Sequence, residues 1–167
     1  MTSTVRPHYR ADVDLFSRSW SALRTAVAEL RDEDFAQPSG CTGWLVRDLV
    51  CHLIIDAQDV LVTLVTPADT EPTRDEVLTA GDYLSAYVLE STLHHLDLIA
   101  HLPGAAEPPA EGLARSRDML EQIAGTAFPA SFSDKDVLLV GTGRRSPTDA
   151  EKAELGELAT KLPLVVG

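Results

Sequence analysis

The strongest constraint on this chain is a spacing. Phe16, Trp20, Leu23, Val27 and Leu30 recur at alternating steps of four and three residues, which puts one apolar stripe on an α-helix running from about Tyr9 to Arg31. The pattern returns along the chain. Val46, Leu49, Leu53, Ala57, Val60, Leu61 and Leu64 predict a second helix from about Leu45 to Leu64. Leu84, Val88, Leu89, Leu93, Leu96 and Ile99 predict a third, opened by Thr79 with Asp82 in a capping-box-like arrangement and stopped by Pro103-Gly104. Pro108-Pro109 begins a weaker fourth with Leu113, Met119, Leu120 and Ile123, and Gly125 suits its C-terminal cap. Thr148 with Glu151 forms a capping box that opens a last helix to about Leu162. Loop chemistry fills Asp32 to Gly43, and Pro67 and Pro72 mark a linker over Thr66 to Leu78. Val137 to Val140 reads as a strand or a buried extended segment. The expectation is one all-α domain over residues 1–167: a helical bundle with a short extended segment near its C-terminal end.

Charge narrows the partners. The formal net charge is −12, against the basic surfaces that nucleic acids and anionic membranes select. A hydrophobic fraction of 44% and a charged fraction of 24% are globular values, ample for a core at 167 residues. The longest near-apolar run, Leu49 to Ile55, is interrupted by His52 and too short to span a bilayer, and Met1 to Arg10 has no apolar signal-peptide core. Two cysteines, Cys41 and Cys51, make no disulfide scaffold, so a reduced, cytoplasmic protein is expected.

Histidine carries the chemical information. His52 lies in the apolar second helix. Glu90 and His94 stand four apart on the third, within a polar stripe of Tyr83, Tyr87, Glu90, His94, Asp97 and His101. If these helices pack antiparallel across the linker, His52, Glu90 and His94 lie roughly 20, 15 and 21 Å from the turn at ~1.5 Å rise per residue, which brings them to one level. Two imidazoles and a carboxylate there make a divalent metal site with a corner open to water or substrate. The same residues also fit a solvated Glu–His pair beside a hydrogen-bonded core histidine, with no metal. Asp48 fits either orientation of the free His52 nitrogen or the first turn of its helix, and Asp97 either support of His94 or a solvated acid. His8 reads as surface, His95 as rim or solvent, His101 as surface, Cys51 as a buried small hydrophobe and Cys41 as a loop thiol. Trp44 reads as a plug at the bundle end, with pocket lining the lesser alternative.

Cys41-Thr42-Gly43-Trp44-Leu45-Val46-Arg47-Asp48-Leu49-Val50-Cys51-His52-Leu53 resembles the C-x-G-W-x-V-x-D-L-x-x-H-L signature of the mycothiol-dependent maleylpyruvate isomerase family, in the DinB-like group of helical-bundle metalloproteins. Glu90-Ser91-Thr92-Leu93-His94-His95-Leu96-Asp97 is similar to its second signature, E-x-x-x-H-x-x-D, and Gly141-Thr142-Gly143-Arg144 to segments near the end of such proteins. The resemblance implies that His52, Glu90 and His94 bind a divalent metal, commonly zinc. It also implies a low-molecular-weight thiol such as mycothiol as cosubstrate, and a reaction of thiol-dependent isomerisation or S-transfer to a small electrophile. Leu45 stands where the family more often has a hydroxyl cap. The stretch between His52 and Glu90 is short for the helix the family normally places there. The bundle is then completed by the helix after Pro109, by a second subunit in a homodimer, or is missing a segment. A non-catalytic helical module holding a metal or small ligand is the alternative function.

Overall fold

The computed structural model describes residues 7–65 and 80–165. Its elements are α1 (Pro7–Ala28), a 3-10 turn (Asp32–Ala36), α2 (Val46–Val65), α3 (Ala80–Ile99), α4 (Ala110–Ala124), α5 (Asp134–Gly141), α6 (Asp149–Leu155) and a closing 3-10 turn (Gly156–Lys161). The fold is an all-α bundle of the DinB-like kind, and the described residues contain no strand. Thr79, Pro67, Pro72 and the expected linker lie outside the described residues, as does the His8 side chain.

Helix α3 is the axis of the molecule. Every residue from Ser91 to Leu98 is buried, because α1 packs closely along one side and α4 along another. Two apolar clusters meet on it. Leu23, Ala26, Val46, Leu49, Leu53 and Leu98 join α1 and α2 to α3. Leu89, Leu93 and Leu96 join α3 to Leu120, Phe128, Val137, Leu138 and Leu155 of the C-terminal half. Helix α4, the helix after Pro109, thus packs on α3 as a further member of the bundle.

Helix boundaries follow local chemistry. Leu45 has no hydroxyl to cap α2, but its backbone N–H donates to Asp48 Oδ2 at 3.0 Å and the Val46 N–H donates to the Gln37 carbonyl at 2.9 Å. This is the acidic half of a capping box acting without its partner. Gly125 ends α4 in the left-handed region at φ 70°. Thr148 and Glu151 form the reciprocal capping box of α6.

Two expectations are corrected. Val137 to Val140 is neither strand nor extended: it is the middle of α5, whose N-cap Ser133 accepts a hydrogen bond from Asp136 N–H. Helical spacing lets Val137, Leu138, Val140 and Gly141 all face the core. His95 is not at a rim: it is buried, and its Nε2 lies 3.0 Å from the Ala106 carbonyl. Helices on both sides of α3 leave that face no route to solvent.

Candidate metal centre

The site lies between α2 and α3, at the level where the apolar packing of the two helices gives way to polar side chains. The His52 and His94 rings meet edge to face with centroids 5.0 Å apart. Each imidazole has a carboxylate one helical turn away. His52 Nε2 is 3.4 Å from Asp56 Oδ2, and His94 Nε2 is 3.6 Å from Glu90 Oε2. Adjacent donors of a tetrahedral zinc with bonds of ~2.0–2.1 Å are separated by about 3.3 Å, so both pairs are close to the edge length a cation requires. The donor chemistry, nitrogen and carboxylate oxygen, is that of divalent transition metals.

Four expected site residues are accounted for in this geometry. His52 and His94 are brought together. Glu90 reaches His94 but stands with its side chain 54% exposed. Asp97 is only 1% exposed and lies directly beneath His94. The sequence reading passed over Asp56, although the spacing His52-x-x-x-Asp56 carries the same one-turn signal as Glu90-x-x-x-His94.

Asp97 is the hub of the inner layer. Arg144 donates twice, Nε to Oδ1 at 2.7 Å and Nη2 to Oδ2 at 2.8 Å. Oδ2 also accepts from the Cys41 thiol at 3.3 Å and lies 3.2 Å from His94 Nδ1. Burial alone would raise this carboxyl, but the hydrogen bonds from His94 and Arg144, with the guanidinium charge, outweigh it and hold the pKa at about 2. An ionised carboxylate only accepts, so His94 must carry its proton on Nδ1. Its Nε2 lone pair is thereby turned toward His52, the arrangement that orients metal-binding histidines.

The same bookkeeping separates two groupings of ligand-type side chains. Cys41, His94 and Asp97 form one, and His52, Asp56 and His94 the other. In the first, both Asp97 oxygens are already taken by Arg144, and burial followed by the Asp97 charge pushes the Cys41 thiol up to about 12. That grouping is a hydrogen-bond network and not a cation site. In the second, no arginine among the described residues engages the Asp56 carboxylate, and the side chains are less buried, His52 at 35% and Asp56 at 18% exposure.

The surroundings shape the approach. Trp44, 40% exposed, sets its ring edge to face with His52 at 5.4 Å, so it lines the site instead of plugging the bundle end. Tyr87 stacks edgewise on Tyr83 at 4.9 Å. Burial, then the hydrogen bond with Tyr83 and the charges of Asp56 and Asp59, keep Tyr87 protonated far above the usual tyrosine range. Asp48 caps α2 through Leu45 N–H. Cys51 is exposed, contrary to its expected burial, because the helix turns it away from Leu49 and Leu53. His101 is exposed at the end of α3, as expected. Sequence spacing shows Asp97 near His94; Arg144 and Cys41, which reach it from 47 and 56 residues away, stand out only as members of the family-like segments, with no signal of their contact with Asp97.

Fold and site together define a DinB-like helical bundle whose candidate metal-binding residues gather between two helices. The chain belongs to the mycothiol maleylpyruvate isomerase N-terminal domain family, whose sequence profile matches residues 16–153. No curated protein and no solved structure matches it. Among the described residues, no helix is long and apolar enough to cross a membrane.

Proposed function

We propose that this protein is a divalent-metal-dependent enzyme, zinc being the metal, that uses a low-molecular-weight thiol such as mycothiol to isomerise or S-conjugate a small electrophile. The observation that carries the reading is the meeting of His52 and His94, from separate helices, at 5.0 Å with a carboxylate one turn from each. Membership of a mycothiol-linked family supports the thiol.

His52 and His94 supply the nitrogen donors, and Glu90, beside His94, is the carboxylate that the family signature implies. A bound divalent cation would supply Lewis-acid chemistry, favouring the thiolate form of the cosubstrate at neutral pH. The protein's own part is orientation and protection. Asp97 fixes the His94 tautomer, and Arg144 neutralises Asp97 so that its charge does not compete for the cation. Trp44 shields one flank of His52 from water. Tyr87, hydrogen-bonded with Tyr83, stays a neutral phenol near the charges of Asp56 and Asp59. Cys41 stays a thiol and is not the nucleophile.

The test is metal analysis of protein purified without a histidine tag, with wild type and His52→Ala compared. One divalent ion per chain is expected, lost in the variant together with thiol-dependent turnover of a cis-enedioic electrophile. Absence of stoichiometric metal, with zinc changing neither melting temperature nor thiol binding, overturns the proposal. Metal retention with kinetic silence toward thiols and electrophiles favours the non-catalytic module.

A further inference from the structure

We propose that Asp56 is a direct ligand of the same cation, completing a His52–Asp56–His94 donor triad in which Glu90 is the exchangeable outer arm. The inference rests on the metal reading above and adds a residue to it.

Among the described residues, the triads whose ligand atoms all lie within 4.8 Å of one another are two, and Glu90 belongs to neither. The triad whose carboxylate is not bound by an arginine among the described residues is His52, Asp56 and His94. Asp56 is one turn beyond His52, so both project from the same face of α2, and Asp56 Oδ2 already stands 3.4 Å from His52 Nε2. Its side chain is well shielded where that of Glu90 is open. Fixing an aspartate also freezes fewer rotatable bonds than fixing a glutamate. A cation between His52 and His94 therefore finds one short, shielded carboxylate in place and one long, solvated carboxylate nearby. Electrostatics agrees with that division. Asp56 and Asp59 both raise Tyr87, so the α2 side of the cleft carries the concentrated negative charge. Glu90 stands in the more open position, with more than half of its side chain exposed. The Glu90 carboxylate is thus the donor most easily displaced by an incoming ligand, which leaves its corner for substrate.

The test uses the full chain and cobalt(II) as a spectroscopic stand-in for zinc, with competition titration for zinc affinity. Loss of a directly bound carboxylate should weaken affinity more than the ~10–100-fold typical of outer residues. Asp56→Asn is expected to weaken zinc binding more than Glu90→Gln does. An equal or smaller effect of Asp56→Asn overturns the inference and leaves the metal reading intact. Zinc affinity that His52→Ala and His94→Ala leave unchanged overturns both. A second readout does not depend on affinity. Asp56→Cys places a thiolate in the coordination sphere only if position 56 is a ligand, so its cobalt complex should show a thiolate charge-transfer band that the wild-type complex lacks. The lack of that band in a cobalt-loaded Asp56→Cys protein with wild-type helical content counts against the inference.

Discussion

Asp97 accepts from Arg144 at both oxygens and lies against His94 and Cys41, and its own backbone carbonyl accepts from Gly40 N–H at 2.8 Å. Removing its charge strands the Arg144 guanidinium, itself 9% exposed. Asp97→Asn should therefore destabilise the metal-free protein by about 3–5 kcal/mol at pH 7, the cost of breaking a buried pair by deleting one partner. Urea denaturation measures it. The pH dependence has a definite sign. The carboxyl's pKa falls from 3.8 unfolded to about 2 folded, so its contribution is complete above the unfolded value and is lost as pH drops through the folded one. The stability gap between wild type and Asp97→Asn, both without metal, should narrow by roughly 2 kcal/mol as pH falls from about 5 through 2. A gap that stays constant would show that Asp97 titrates normally. Gly40 makes a separate demand. A Cβ there would stand 2.6 Å from Asp97 Oδ1 and 2.8 Å from Asp97 Cα, and the latter is backbone that cannot swing away. Gly40→Ala should cost about 1–3 kcal/mol as overpacking. It should also loosen metal binding by displacing the residue that holds His94. How far these residues could be read from sequence follows from distance along the chain. Helical spacing connects His94 to Glu90 and Asp97, and the height of His52 follows from the rise per residue. Gly40, Cys41 and Arg144 arrive from loops, whose paths no periodicity describes, and their contacts with Asp97 were invisible. Asp56 is legible from its one-turn spacing to His52 on α2.

At the level of elements, long amphipathic stretches announce themselves and short ones do not. α1, α2, α3 and α4 all fall within about three residues of the stripes that predict them, because each presents several turns of one apolar face. α5 has eight residues, and its run Val137-Leu138-Leu139-Val140 is equally apolar at period 2 and period 3.6. What decides the helix is local. Ser133 caps it, Asp134 and Asp136 sit in its first turn, and Gly141 lies 3.1 Å (from its would-be Cβ) from Leu120, a distance that admits no larger residue without movement. Ser133→Ala should then cost about 1 kcal/mol of stability in thermal or urea unfolding. It should leave zinc affinity unchanged, since Ser133 stands at the N-terminal end of α5, a helix that packs on α4, and touches none of the site residues. A drop in metal affinity in that variant would mean that the two sides of α3 are mechanically coupled. The last helix was expected to reach Leu162 unbroken. It stops at Leu155, and the chain goes on as a 3-10 turn, because Gly156 adopts φ 55° where α-helical hydrogen bonding cannot continue.

For the molecule as a whole, the division of the core into two clusters decides what a bound cation stabilises. The C-terminal cluster ties α3 to α4, α5 and α6 through fully buried Leu120, Val137 and Leu138. In the other half α1 packs closely on α3, and α2 is the loosely held element among the described residues. Among the described residues α2 contacts α3 sparingly; Val46, Leu49, Leu53 and Val60 are buried, and Ile54, Ile55 and Leu61 are exposed. His52 lies on α2 and His94 on α3, so a cation held by both would cross-link two helices that touch sparingly among the described residues. Ligand binding to the native state alone adds about 2.7 kcal/mol at a hundredfold excess over Kd. Its distribution should be uneven, because local opening free energies differ from element to element. Zinc is expected to slow amide hydrogen exchange strongly in α2 and at the facing positions of α3, and to leave exchange in α4 and α5 limited by openings that the cation does not touch. A chelator should reverse the difference, and His52→Ala should abolish it while the C-terminal half stays protected. Uniform slowing along the whole chain would mean that the bundle opens only as one unit. In that case the metal would add to global stability without selectively fastening α2.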